Sequence, residues 1–286
     1  CIIGAGPGGM SAAYYLALKG YTVKVIEALP MAGGMTMVGI PRYRLPREVI
    51  DREVAMIEDL GVEFVYNTRF GDDLSYEDLK SRGFEAFLFA IGAHKAYKLN
   101  IPGEEDYPQV IDAIELLKDV ALGHRHAPGK KVVIIGGGNV AIDAARTCLR
   151  LGCEDVTIAY RRTRKEMPAD EEEVEHAEEE GVKLAMLTIP MEIKGQDGHI
   201  NALHCLQAKL VKKEGSDRMY PTPMEGSDFD IPADAIIPAI GQYVEKECVQ
   251  AMQDVEWTRR GTIDVNMANM TTAQPDVFAV GDAVTG

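Results

Sequence analysis

Two glycine clusters carry the chemistry open to this sequence. The first, Gly4-x-Gly6-x-x-Gly9, follows the apolar run Cys1-Ile2-Ile3. Gly4 permits a tight turn out of a strand. Gly6 lets backbone approach a pyrophosphate, and Gly9 lets the next helix pack closely on the strand. That helix, expected from about Gly8 to Lys19, offers unpaired N–H groups and a positive dipole end to the phosphates. A second strand, Thr22 to Ile26, ends on Glu27, whose carboxylate can accept hydrogen bonds from a ribose diol. Gly-rich turns of other α/β proteins can show the glycines alone. Strand, glycines, helix, strand and acid in this order select a βαβ dinucleotide-binding unit.

The pattern then repeats. Lys131 to Ile135 reads as a strand, Gly136-Gly137-Gly138-Asn139-Val140-Ala141 as the turn, with Ala141 in the third small position. A helix from Ile142 to Leu151 and a strand from Val156 to Tyr160 follow. Where the first copy has Glu27, this one has Arg161-Arg162, then Arg164 and Lys165. A carboxylate there repels a 2′-phosphate, whereas guanidinium groups bind it with charge-assisted hydrogen bonds. The first unit therefore suits FAD or NAD. The second suits NADPH, with NADH the other candidate. Surface charge is the alternative for Arg161 and Arg162.

Other segments must position these turns. Ala32-Gly33-Gly34-Met35 and Gly39 to Pro46 form an ordered loop without helix or strand, either a simple connection or backbone wrapped closely around a flat ligand. Arg47 to Leu60 has helical spacing (Val49, Ile50, Val54, Ile57, Leu60) and stops at Gly61. Val62 to Tyr66 reads as a strand, and Phe84 to Ile91 as a buried strand ending at Gly92. Asp112 caps a helix through about Ala121. Ala235 to Gly241 repeats the Ala-Ile-Gly ending at Gly92, so each copy closes one nucleotide-binding half. Lys183 to Met191 and Ile200 to Lys213 read as strands of a meander. Glu214 to Asp230 reads as polar turn and loop, and Asp170 to Glu180 as a solvated helix face. Val277 to Val280 runs into Gly281-Asp282. Asp282 can bond a polyol hydroxyl, or serve as a helix N-cap or turn residue.

Composition narrows the function. A chain of 286 residues can hold two cores. A net charge of −15 argues against nucleic acid. No apolar run reaches the roughly eighteen residues of a membrane span. The five cysteines, Cys1, Cys148, Cys153, Cys205 and Cys248, are scattered, which fits a reducing compartment, the cytoplasm, and argues against a disulfide scaffold. No metal site is expected: His124 and His126 lie in a polar linker without a third ligand nearby. The first residue is Cys within a strand, so the chain is expected to be part of a longer polypeptide.

The two dinucleotide units, the paired Ala-Ile-Gly ends and the closing Gly-Asp are similar to the two-dinucleotide-binding-domain flavoproteins. Gly33-Gly34 with Gly39-Ile40-Pro41-x-Tyr43-x-Leu45-Pro46, then Gly136 to Ala141 with Asp143, then Tyr160-Arg161-Arg162 with Glu166-Met167-Pro168-Ala169, resembles the small (β) subunit of NADPH-dependent glutamate synthase. Relatives include the flavin arm of dihydropyrimidine dehydrogenase and the large subunit of ferredoxin–NADP transhydrogenases.

The resemblance implies an α/β fold with two Rossmann-like domains, the NAD(P)H domain inserted into the FAD domain. The expected divisions are residues 1–98 and 239–286 for FAD and 99–238 for NAD(P)H. FAD would be held by Gly4, Gly6, Gly9, Glu27, Gly34 and Asp282, with Gly92 and Gly281 closing the site. NADPH would be held by Gly136, Gly138, Asn139, Ala141, Arg161 and Arg162. Two departures stand out: Val38 replaces the usual aromatic before Gly-Ile-Pro, and Lys98 stands where an Arg is common.

The implied activity is FAD-dependent NAD(P)H oxidation or reduction. The cofactors carry the hydride, so no catalytic side chain is named. Cys148 and Cys153 read as core residues, not a redox pair. Electrons would therefore pass to iron–sulfur clusters in a missing segment or partner subunit. A flavin monooxygenase or oxidase and a non-enzymatic nucleotide-binding scaffold are the competing readings.

Overall fold

A computed structural model describes residues 1–212, 219–247 and 255–286. The elements begin β1 (Ile2–Ile3), α1 (Pro7–Leu18), β2 (Lys24–Ile26), α2 (Met35–Val38), α3 (Arg47–Glu58), β3 (Glu63–Val65), α4 (Tyr76–Ser81) and β4 (Phe87–Phe89). Then come β5 (Lys95–Ala96), α5 (Ala113–Ala121), β6 (Lys131–Ile135), α6 (Asn139–Arg150), β7 (Asp155–Tyr160), α7 (Glu171–Glu179) and β8 (Lys183–Met186). The chain continues through β9 (Thr188–Gln196), β10 (His199–Lys212), β11 (Met219–Pro232), β12 (Ala235–Pro238), β13 (Gln242–Tyr243), β14 (Val277–Ala279) and α8 (Asp282–Thr285). Two compact units result: residues 1–95 with 242–286, and the inserted residues 96–241. No helix among the described residues is long and apolar enough to cross a membrane.

The first unit is built on a parallel five-stranded sheet, ordered β14-β4-β1-β2-β3. Alternate residues feed opposite faces. Ile2 and Val25 pack with Met10 and Ala13 of α1, while Ile3 and Ile26 pack with Leu79, Ile263 and Ala283. Both faces are buried, so these strands read as continuous apolar runs.

The inserted unit has a parallel four-stranded sheet, β12-β6-β7-β8. Val132, Ile134 and Ile158 face α5, α6 and α7. Val133, Ile135 and Ala159 face Ile193, Leu203 and Cys205 of the antiparallel sheet β11-β10-β9.

Three expectations need correction. Residues 219–230 are not loop: they lie in β11, paired antiparallel with β10. Pro221, Pro223 and Gly226 are uncommon within strands, but prolines are tolerated on an edge strand, and the ladder shifts register between Leu206 and Ala208. Residues 214–218 lie outside the described residues. The segment after Gly34 contains one helical turn, α2, ended by Gly39. The strand expected over Lys183–Met191 is broken at Leu187, where φ is +53°.

A buried guanidinium ties α6 to α7. Arg146 donates from Nη2 to Glu180 Oε1 at 2.8 Å and from Nη1 to Glu173. Arg150 donates to the same Glu180 at 2.6 and 2.8 Å. Arg150 and Arg146 hold the Glu180 carboxyl down at about 2, from an ordinary 4.5. Because this pKa is depressed, the stabilisation is complete above about 4.5 and is lost as pH falls toward 2. Arg146→Met should cost roughly 1–3 kcal/mol at neutral pH, by removing the guanidinium that bonds Glu173 and shares Glu180 with Arg150, and partly flatten the acid limb of stability against pH. Urea unfolding at pH 7 and pH 3.5 checks this. An unchanged acid limb would show that the ion pair contributes nothing.

Candidate functional site

In the first unit the backbone closes on itself around α1. Gly4 has φ +102°, and a Cβ there would lie 2.4 Å from the Ala90 carbonyl oxygen. A Cβ on Gly9 would lie 2.0 Å from Gly4 O. Gly6 is the N-cap of α1, and Pro7 takes the first helical position, where no N–H is lost. Gly34, at φ +53°, presses on Gly6: a Cβ would stand 2.8 Å from Gly6 Cα. A Cβ on Gly8 would be 3.8 Å from Gly281 Cα. Thus Gly6, Gly8, Gly34 and Gly281 gather at the helix N-terminus, a cradle that side chains would fill. Gly92 lies beside the His94 ring. Asp282 is the exposed first residue of α8, and the N-cap itself is Gly281.

Glu27 is 7% exposed. Its Oε2 accepts from Ala5 N–H and its Oε1 from Leu29 N–H, both at 2.7 Å. Burial pushes its carboxyl above the ordinary range, opposed by the N–H groups of Leu29, Ala5 and Ala28. Each oxygen retains a second lone pair, so a ribose diol can still be bound.

The inserted unit repeats the geometry. A Cβ on Gly136 would lie 2.3 Å from Ala239 O, as at Gly4 and Ala90. The Ala-Ile-Gly echo has this physical basis: each copy places its alanine carbonyl against the first glycine of a turn. Gly138 is the N-cap of α6. Ala141 is fully buried, and Asn139 Oδ1 accepts from Asp170 N–H at 3.0 Å.

Register corrects the placement of the arginines. Gly4 N–H donates to Ile26 O, and Gly136 N–H donates to Ala159 O. The residue equivalent to Glu27 is therefore Tyr160, not Arg161. Its ring occupies the space beside Gly137, where a Cβ would meet it at 2.5 Å. This is why the middle residue of the turn is Ala5 in one unit and Gly137 in the other. Arg161 is exposed. Arg162 is only 9% exposed, and its Nε is buried with no hydrogen-bond partner among the described residues. Arg164 is paired with Glu178, which raises its pKa.

Comparison with known proteins fits this paired architecture. Residues 1–286 match the family described as pyridine nucleotide-disulphide oxidoreductase. The chain belongs to that family. It is 42% identical over 287 residues to the NADP(+)-dependent formate dehydrogenase subunit beta of Moorella thermoacetica, which covers all of this chain and 40% of that protein. It is 36% identical over 295 residues to a putative glutamate synthase (NADPH) small chain of Cereibacter sphaeroides, covering 100% of this chain and 71% of the relative. The chain spans about two fifths of the length of the first of these. In fold it is similar to FprA of Mycobacterium tuberculosis in complex with NADPH, with TM-score 0.81, 20% identity, and coverage of 100% of this chain and 78% of that one.

The cysteines of this family member are free at Cys1, Cys148, Cys153 and Cys205, and Cys248 lies outside the described residues. Cys148 lies in the last turn of α6 and Cys153 just beyond its end. Cys153 N–H donates to Cys148 O at 3.1 Å and Gly152 N–H to Leu149 O at 3.0 Å, the pattern of a helix C-cap whose apolar contact is the two thiols. The bond to Cys153, then burial, pushes the Cys148 thiol well up.

Sequence reasoning missed Tyr160, Gly137 and Ala169, whose N–H donates to Gly137 O at 3.1 Å. The middle glycine of Gly136-Gly137-Gly138 was the available signal, since a dinucleotide turn does not need it. Gly137→Ala should destabilise the inserted unit by about 1–3 kcal/mol through overpacking against Tyr160. Ala5→Gly in the first unit should cost about 1 kcal/mol or less. Thermal unfolding of both variants checks the contrast. Equal costs would mean that Tyr160 does not dictate Gly137.

Proposed function

We propose that this chain is the FAD- and NADPH-binding module of a larger redox enzyme, passing electrons between NADPH, FAD and iron–sulfur clusters outside the segment. The first unit holds FAD: Gly4, Gly6 and Gly9 form the turn, and Glu27 takes the ribose. Gly34, Gly92, Gly281 and Asp282 complete that site. The inserted unit holds NADPH through Gly136, Gly138, Asn139 and Ala141, with Arg161 and Arg162 for the 2′-phosphate.

The observation that carries this reading is the buried Nε of Arg162, which lacks an acceptor near a turn whose acid position is filled by Tyr160. A buried donor left unpaired is costly, and a phosphate at Arg162 would satisfy it. When bound, the cofactors supply the hydride chemistry. The chain binds and orients them, and the glycine turns bring backbone N–H groups to the phosphates. Relatives bearing the names of beta or small subunits support a partner that carries the onward electrons. The free cysteines fit a cytoplasmic setting.

Anaerobic stopped-flow on the full-length, FAD-loaded chain tests the proposal. NADPH should bleach the flavin rapidly. Arg161→Ala with Arg162→Ala should lower kcat/KM for NADPH by about ten- to a hundred-fold, one to two charge-assisted hydrogen bonds, and that for NADH far less. Equal losses would remove the arginines from the phosphate site. Bleaching by neither nucleotide would favour a scaffold, and rapid oxygen consumption with a substrate would favour a monooxygenase.

Glu27→Gln sets an amide donor against the N–H of Ala5 or Leu29. Flavin retention should weaken about ten-fold, from one unsatisfied buried group, and is read as released flavin fluorescence on dilution. Unaltered retention would take the carboxylate out of the FAD site.

A further inference from the structure

The segment after β7 is fastened at several points. Tyr160 Oη donates to the Glu166 carbonyl at 2.6 Å. Thr163 and Glu166 bond reciprocally across the single 3₁₀ turn Arg164–Glu166. Leu187 N–H holds Arg162 O at 3.0 Å. Beyond the turn, Ala169 N–H returns to Gly137 O, and Asp170 N–H reaches Asn139 Oδ1. Pro168 Cγ lies 3.9 Å from where Gly138 would carry a Cβ. The peptide bearing Arg161 and Arg162 is thus a closed clasp that starts and ends on the glycine turn.

Tyr160 joins the two ends of this clasp. Its ring packs on Gly137 and its hydroxyl grips Glu166. The ring also fills the place where the first unit has its ribose-binding carboxylate. A nucleotide that presents a free diol therefore finds no acid there. One that presents a phosphate meets arginines on a fixed backbone.

We propose that Tyr160 is a positioning residue for nucleotide choice: its hydroxyl, bonded to Glu166, closes the segment that carries Arg162 and so sets the preference for a 2′-phosphorylated nucleotide. This rests on the assignment of Arg162 to that phosphate. Fixing the backbone matters because a long guanidinium side chain loses less freedom on binding when its anchor is already ordered.

Tyr160→Phe is the direct test, since it keeps the ring on Gly137 and removes only the hydroxyl. On the FAD-loaded full-length protein, kcat/KM for NADPH should fall about five-fold, through KM, and that for NADH less than two-fold, the scale of one hydrogen bond. In an Arg162→Ala background the same change should add no further loss of NADPH preference, because the two residues act through one contact. Thr163→Val, which opens the turn from its other bond, should shift the preference in the same direction. Equal losses with NADPH and NADH, or an undiminished effect of Tyr160→Phe in the Arg162→Ala background, would make Tyr160 merely structural and overturn the inference. If Arg162→Ala destroys the preference and Tyr160→Phe leaves it intact, this inference alone fails. If Arg162→Ala leaves the preference intact, the phosphate assignment fails and this inference with it.

Discussion

A carbonyl oxygen stands where a side chain would otherwise be. At Gly4 it belongs to Ala90, and at Gly136 to Ala239. This contact between two pieces of backbone fixes how low each helix sits on its sheet, and everything at the nucleotide end follows from that height. Gly9 continues the constraint, with the carbonyl of Gly4 directly beneath it. At the equivalent point the inserted unit carries Ala141, fully buried, so its helix accommodates one methyl group. The helix N-termini, capped by Gly6 and Gly138 without a side-chain hydrogen bond, keep N–H groups that no cap satisfies.

On this shared frame the units diverge at one register position. Glu27 joins two turns through backbone N–H groups and keeps lone pairs for a diol. Tyr160 joins its turns through a ring and a hydroxyl, and offers no charge. The neighbours change accordingly: Ala5 becomes Gly137, and the peptide that follows carries arginines rather than the Leu29 amide. The difference between the two units is thus written into backbone packing as well as into charge.

The long periodic elements were legible in the sequence. The glycine turns, the helices that follow them and the parallel strands appear where apolar spacing places them, and the boundaries differ by a few residues. Strand β4 ends at Phe89 because Ala90 and Ile91 turn out of the sheet against Gly4. Strand β11 was not legible: its prolines, glycine and acids match a loop, and only pairing with β10 identifies it. The candidate site was legible as residue types but not as register. Whether Tyr160 or Arg161 is the equivalent of Glu27 depends on a backbone hydrogen bond from Gly136, which no spacing rule reveals. The role of Pro168 and Ala169 was likewise hidden, since they act by lying against a glycine turn distant in sequence.

The discontinuity of the first unit constrains how the protein is made. Strand β14 pairs with β4, Val277 against Phe87 and Ala279 against Phe89. During synthesis from the N-terminus, residues 96–241 emerge in full before that partner exists. The edge of β4 therefore stays open while the ribosome completes the intervening unit. An unsatisfied apolar strand edge is a template for pairing with other chains. The nascent chain is open to aggregation during that interval, which ends when β14 docks on β4.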